Sequence, residues 1–84
     1  MKHKIYSVHD AKAEAYMQPF LIPNEAMAIR ACENLVNTLD HQFSTNPEDY
    51  VLFGLGEFDD QTGLLEPDSP HPITPLIALR KADK

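Results

Sequence analysis

The chain has 84 residues, 43% of them hydrophobic, and a formal net charge of −6. That length allows one domain with one thin core, and the apolar fraction excludes wholesale disorder. No run of about 18 apolar residues is present, which excludes a membrane-spanning helix, and a single cysteine, Cys32, excludes an internal disulfide and fits a reducing compartment.

The charge is unevenly spread. Residues 1–12 carry Lys2, Lys4 and Lys12 against Asp10, and residues 80–84 carry Arg80, Lys81 and Lys84 against Asp83. Between them, Arg30 stands alone against eleven carboxylates. An acidic body repels phosphate, so any nucleic acid would have to be held by the basic ends. The start, Met1-Lys2-His3-Lys4-Ile5-Tyr6, is charged but lacks the apolar segment of a secretory signal.

Alternation over Lys4–His9 predicts a first strand over residues 2–9, with Lys4, Tyr6 and Val8 on one face. Asp10–Ala13 reads as a polar turn. Residues 15–22 read as an extended second strand, antiparallel to the first. Pro19 lacks a backbone donor and confines that strand to a sheet edge or a bulge. Asn24 is a good N-cap, with Glu25 behind it at the positive end of the helix dipole. Residues 25–39 read as an amphipathic helix, whose stripe is Ala28, Cys32, Leu35, Val36 and Leu39, widened by Ile29.

After an Asn46-Pro47 turn comes the most apolar run, Tyr50–Phe58, read as the central strand. Its alternation places Tyr50, Leu52, Gly54, Gly56 and Phe58 on one face, and Val51, Phe53, Leu55 and Glu57 on the other. Both faces are apolar, and one helix covers only one of them, so the strand points to a partner subunit. Asp59–Gly63 reads as a hairpin loop leading to a short return strand, Leu64–Glu66, that ends at Pro67. Four prolines between residues 67 and 75 favour an extended path, and Ile73, Leu76, Ile77 and Leu79 then need a docking place.

No catalytic pattern emerges. His3, His9, His41 and His71 share no metal-ligand spacing with one another or with Cys32. Gly54-Leu55-Gly56 lies inside a strand with no helix behind it, so it is not a phosphate loop. Glu57, Asp59, Asp60, Glu66 and Asp68 miss the alternation of a calcium loop and read as a solvated hairpin. The expectation is a non-enzymatic protein without cofactor or metal.

The run Pro47-Glu48-Asp49-Tyr50 followed by Leu55-Gly56-Glu57-Phe58-Asp59-Asp60-Gln61-Thr62-Gly63 resembles the small non-structural protein of gokushoviruses, single-stranded DNA phages of the Microviridae. Lys4-Ile5-Tyr6-Ser7-Val8, Pro19-Phe20 and Ala28-Ile29-Arg30-Ala31 match that family's other elements in order, so the likeness covers roughly residues 4–63. The resemblance implies a phage protein of the infected bacterial cytoplasm, absent from the mature virion. It implies a role in viral DNA replication, or in the switch to single-strand synthesis and packaging, and some members are labelled DNA-binding. It carries over no functional residue.

These readings define an α+β fold: a mainly antiparallel sheet of about four strands with one amphipathic helix on one face, in the order β-β-α-β-β, and an extended Pro-rich C-terminal tail. The domain is expected over residues 1–66 and the tail over 67–84, docked on the domain or on a partner subunit. Candidate DNA contacts, single-stranded DNA favoured, are Lys2, Lys4, Lys12, Arg30, Arg80 and Lys81, with Tyr6 and Tyr16 as stacking surfaces. Candidate homodimer contacts are Val51, Phe53, Leu55, Ile73, Leu76, Ile77 and Leu79. The competing reading is an adaptor that binds a phage or host replication protein through its acidic surface, with no DNA contact. The two readings part on whether folding gathers the basic ends into one patch.

Overall fold

A computed structural model of the chain describes residues 1–81, so Lys84 and Asp83 of the basic C-terminal end lie outside the described residues. The architecture is α+β, with one antiparallel sheet of five strands and one main helix. Strand β1 (Lys2–Asp10) pairs with β4 (Tyr50–Asp59) along its whole length, and β4 pairs with β5 (Leu65–Pro75). On its other edge β1 meets β2 (Ala15–Tyr16) and then β3 (Phe20–Ile22).

The expected second strand is therefore broken in two, at Met17–Pro19. Pro19 has no amide to give the ladder. The fully buried Ser7 hydroxyl fills part of the gap by donating to the Met17 carbonyl at 2.6 Å. The turn before it is closed by Asp10, whose Oδ1 accepts the amides of Lys12 at 3.0 Å and Ala13 at 3.3 Å.

Helix α1 (Glu25–Val36) starts where the sequence puts it: Asn24 Oδ1 accepts the Met27 amide at 2.9 Å. It ends three residues earlier than expected. Asn37 takes the C-cap and its side-chain amide donates to the carbonyls of Glu33 and Leu79, at 2.8 and 3.2 Å. Ala28, Cys32 and Val36 are buried on the sheet, whereas Leu35 is 37% exposed and Leu39 88%. Losing the last turn swings Leu39 off the apolar stripe.

Helix α2 (Gln42–Thr45) buries Phe43, and a 3₁₀ turn at Pro47–Asp49 buries Pro47. Together with Tyr6, Val8, Tyr50, Leu52 and Leu76 they complete a core confined to the helix side of the sheet. The return strand does not stop at Pro67. It runs to Pro75, so the boundary expected at 66/67 falls inside β5. β5 is an edge strand with register shifts opposite Leu52/Phe53 and Gly54/Gly56, a setting that tolerates prolines. A 3₁₀ turn, Leu76–Leu79, then docks on α1 and puts Leu76, fully buried, into the core.

The β1–β4 register also shifts between Ile5 and Tyr6, because Ile5 faces Gly56 and Tyr6 faces Gly54. The extra residue, Leu55, reverses the alternation of β4. Phe58 thus lies across from His3, on the face of Ile5 and His9, and not with Tyr50 and Leu52 as expected. Gly56 sits at this bulge with φ +149°, and a Cβ there would lie 2.3 Å from the Glu66 carbonyl oxygen, so glycine is required.

Candidate functional site

The candidate DNA contacts divide sharply once placed on the fold. Lys2 and Lys4 stand at the start of β1, beside the acidic β4–β5 hairpin. Lys4 Nζ lies 2.7 Å from Glu57 Oε2, and Lys2 Nζ lies 3.3 Å from Glu66 Oε1. Each hydrogen-bonded partner raises its lysine above the usual value, and Lys4 in turn holds Glu57 below the ordinary carboxylate range. Asp60 takes the amino terminus at 2.7 Å and His3 Nε2 at 2.9 Å, which lower it in the same way. The amino terminus, Lys2 and Lys4 are thereby each matched by a carboxylate of the chain's own hairpin, whereas among the described residues Lys12 is not. These exposed pairs orient the β1–β4–β5 end and contribute little stability each.

Tyr6 cannot stack on a base as expected. It is only 4% exposed, because alternation places it beside Val8 on the covered face, with its ring 6.0 Å from that of Phe20. Tyr16 is 45% exposed and stays accessible. It meets His9 and Phe53 edge-on, at ring-centre distances of 4.8 and 5.3 Å, in a cluster on the open face. That cluster escaped the sequence reading; the signal was the turn Ala11–Glu14, which brings His9 opposite Tyr16.

Lys12, Arg30, Arg80 and Lys81 are exposed. Arg80 and Lys81 are held at the C-terminal end of α1, where the Lys81 amide donates to Asn37 Oδ1 at 2.9 Å. Lys2 pairs opposite Asp59, whereas Pro75, next to the terminal turn, pairs opposite Val51. Eight residues of strand, about 26 Å, separate those levels of β4. Within a molecule 47 Å long, the basic ends form two patches.

Of the candidate dimer contacts, Leu76 is consumed by the core of its own chain, and Ile73 and Leu79 pack against that core. Ile77 is 47% exposed. Val51, Phe53 and Leu55 are half-buried on β4.

Among the described residues, one cavity of about 380 Å³ opens at the end of α1 between Val36, Leu39, Ser44 and Arg80, and two others lie along the sheet. One, of about 260 Å³, is lined by Val8, Met17, Phe20, Cys32, Leu35 and Phe43, and is almost wholly apolar. Burial alone pushes the Cys32 thiol up to about 11, so it is a packing residue with no thiolate at neutral pH. The other, of about 230 Å³, is polar and lies where α1 begins, between Tyr6, Glu25, Asp68 and His71. Among the described residues no group of three or more His, Cys, Asp or Glu side chains is arranged to hold a metal ion, and no helix is long and apolar enough to cross a membrane.

Fold and surface together describe a small α+β domain with an acidic hairpin, an open sheet face and a polar cavity. The family model of the Phage ORF5 protein matches residues 3–79, and the chain belongs to that family of small phage proteins. No curated protein and no solved structure matches it.

Proposed function

We propose that this phage protein is a gokushovirus non-structural protein, absent from the virion. In the cytoplasm of the infected bacterium it acts in viral DNA replication, or in the switch to single-strand synthesis and packaging. It acts by contact with a phage or host replication protein and not by a grip of its own on DNA. The order of the motifs and the family match support the viral setting. The observation that carries the mode of action is the pairing of Lys2 with Glu66 and Lys4 with Glu57, at the far end of the sheet from Arg80 and Lys81. A phosphate backbone approaching Lys2 or Lys4 meets a carboxylate with each cation, and counterion release needs cations that are not already neutralised. The uncovered sheet face supports a homodimer, with Val51, Phe53 and Tyr16 beneath the second copy. A single-chain mass by light scattering at about 50 µM removes that element.

The second reading keeps direct DNA contact. It is favoured by the exposed Lys12, Arg30, Arg80 and Lys81 with Tyr16, a set able to touch single-stranded DNA. Fluorescence anisotropy with labelled single-stranded and duplex DNA, at about 50 and 200 mM salt, separates the two. The adaptor reading expects no saturable binding at the lower salt. Micromolar binding that weakens steeply with salt, and that disappears in an Arg80→Glu/Lys81→Glu variant, replaces it with the second.

A further inference from the structure

The polar cavity at the start of α1 gathers residues from four elements: Lys4 and Tyr6 of β1, Glu25 of α1, Gly54 of β4, and Asp68 and His71 of β5. Two of its polar groups are already engaged. Lys4 is bound to Glu57, and the Asn24 side chain caps the Met27 amide. Glu25 and Asp68 make no hydrogen bond or ion pair among the described residues.

Among the described residues the Tyr6 hydroxyl has no partner either, although the residue is only 4% exposed. Among the described residues no sealed side-chain nitrogen or oxygen lacks a partner. The hydroxyl is therefore not sealed, and the space it reaches is this cavity. Burial raises its pKa, Glu25 raises it further and Lys4 opposes them, so the phenol lies within the field of both charges. Gly54 makes the wall possible. A Cβ there would lie 2.5 Å from His71 Nε2, and its absence lets the imidazole lie over β4.

What remains unengaged is acceptor-rich: two carboxylates and a phenolic oxygen. An anion entering the cavity meets Glu25, Asp68 and the nearby Glu57. A cation meets the carboxylates of Glu25 and Asp68 against the single ammonium of Lys4, whose charge Glu57 already offsets. The volume, about 230 Å³, suits one side chain and falls below the usual range for drug-sized ligands. A guanidinium, planar and forked, can address two carboxylates and a hydroxyl together, which an ammonium cannot do as well.

We propose that this cavity is a receptor for an arginine side chain of a basic protein partner, with Tyr6, Glu25 and Asp68 as its acceptors and His71 as its wall. The proposal rests on the adaptor reading above and names where that adaptor takes hold.

The test is an amide-proton NMR titration of the full chain with N-acetyl-arginine amide. N-acetyl-lysine amide, N-acetyl-aspartate amide and inorganic phosphate are the comparison probes. Blocked arginine is expected to shift the Gly54, Gly56 and Glu25 amides saturably, with a Kd on the order of 1–10 mM. Blocked lysine is expected to bind more weakly, and the two anions not to saturate. Tyr6→Phe keeps the ring and its packing, and Glu25→Gln keeps the shape of the first helical turn. Each should weaken arginine binding by about fivefold or more while the rest of the spectrum stays in place. Absence of saturation at about 100 mM arginine, saturation of the same amides by either anion, lysine binding as tight as arginine, or unchanged affinity in both variants overturns the proposal. Failure here with DNA still unbound leaves the adaptor reading standing. Salt-sensitive DNA binding with arginine still filling the cavity removes that reading and keeps the receptor.

Discussion

The two faces of the sheet come from the same strands and are almost equally apolar, yet only one is closed. On the helix side Tyr6, Val8, Tyr50 and Leu52 meet Ala28, Cys32, Val36, Phe43 and Leu76, none more than 7% exposed. On the other side Ile5, His9, Val51 and Phe53 are only half-buried, and what shelters them is chiefly one another's rings and the Tyr16 edge. Apolarity along a strand says that a face wants cover; it does not say that the chain has an element left to supply it. Here two helices and two 3₁₀ turns are spent on the first face.

The comparison breaks most visibly on the large buried side chains. Leu52→Ala and Leu76→Ala remove fully buried leucines, and each should cost about 2–5 kcal/mol. A domain of this size holds roughly 4–13 kcal/mol in total, so either variant is left marginal in a urea titration. Phe53→Ala on the open face should cost about 1 kcal/mol or less in dilute solution. A loss that matches Leu52→Ala and grows with protein concentration means that the open face is covered in solution.

A smaller contrast separates the two strand glycines. Gly56→Ala forces a Cβ against the Glu66 backbone at a φ that L residues avoid, and should cost about 2 kcal/mol or more. Gly54→Ala meets only the imidazole of exposed His71, which can swing away, for less than about 1 kcal/mol. The same swing would open the arginine cavity, so Gly54→Ala should keep its stability while losing much of its arginine binding.

Much of this fold was legible because it is local. The Asn24 cap, the alternation of residues 2–9, the Asp10 and Asp59 turns and the long apolar β4 each declare themselves within a few residues. What was not legible depends on distant partners. The helix stops at Val36, where the Asn37 side chain donates to the Glu33 carbonyl and also reaches that of Leu79, forty-two positions away. The prolines of β5 read as the end of the sheet because nothing local says that the strand will be an edge. A bulge or a close helix contact at Gly54-Leu55-Gly56 was legible from two glycines inside one strand. That Leu55 is the inserted residue, and that Phe58 changes face in consequence, depends on pairing with Ile5 and Tyr6. The candidate site suffered most. Charge counts along the chain showed basic ends and an acidic body, but whether they neutralise one another depends on which strands become neighbours.

The smallest expected effect tests that neutralisation. Glu57 is held below its ordinary pKa chiefly by Lys4, Asp59 by the Gln61 amide, and Asp60 by the amino terminus and His3. A carboxylate whose pKa is depressed by folding adds stability above its ordinary value, and that stability is lost as the pH falls through the lower, folded value. The reference values here are 4.5 for Glu57 and 3.8 for the two aspartates. Stability should therefore hold from neutrality down to those values and decline below them. Lys2 and Lys4 are raised, so their contribution is complete below 10.5 and fades only as the pH climbs through the folded values above it. All of these groups are exposed, so the acid limb should be shallow and should flatten further in about 1 M salt, where screening reaches within a few ångströms. Urea midpoints from pH 2 to 7, for the wild type and for Glu57→Gln/Asp60→Asn, check it. The variant should lose most of the acid limb because its midpoint near neutrality drops towards the wild type's acid-end value, while the two proteins converge at the lowest pH. A limb that survives these substitutions together with Asp59→Asn would mean that carboxylates outside the hairpin take up the protons. The separation of the molecule into a charge-matched hairpin end and a pH-indifferent core would then be wrong.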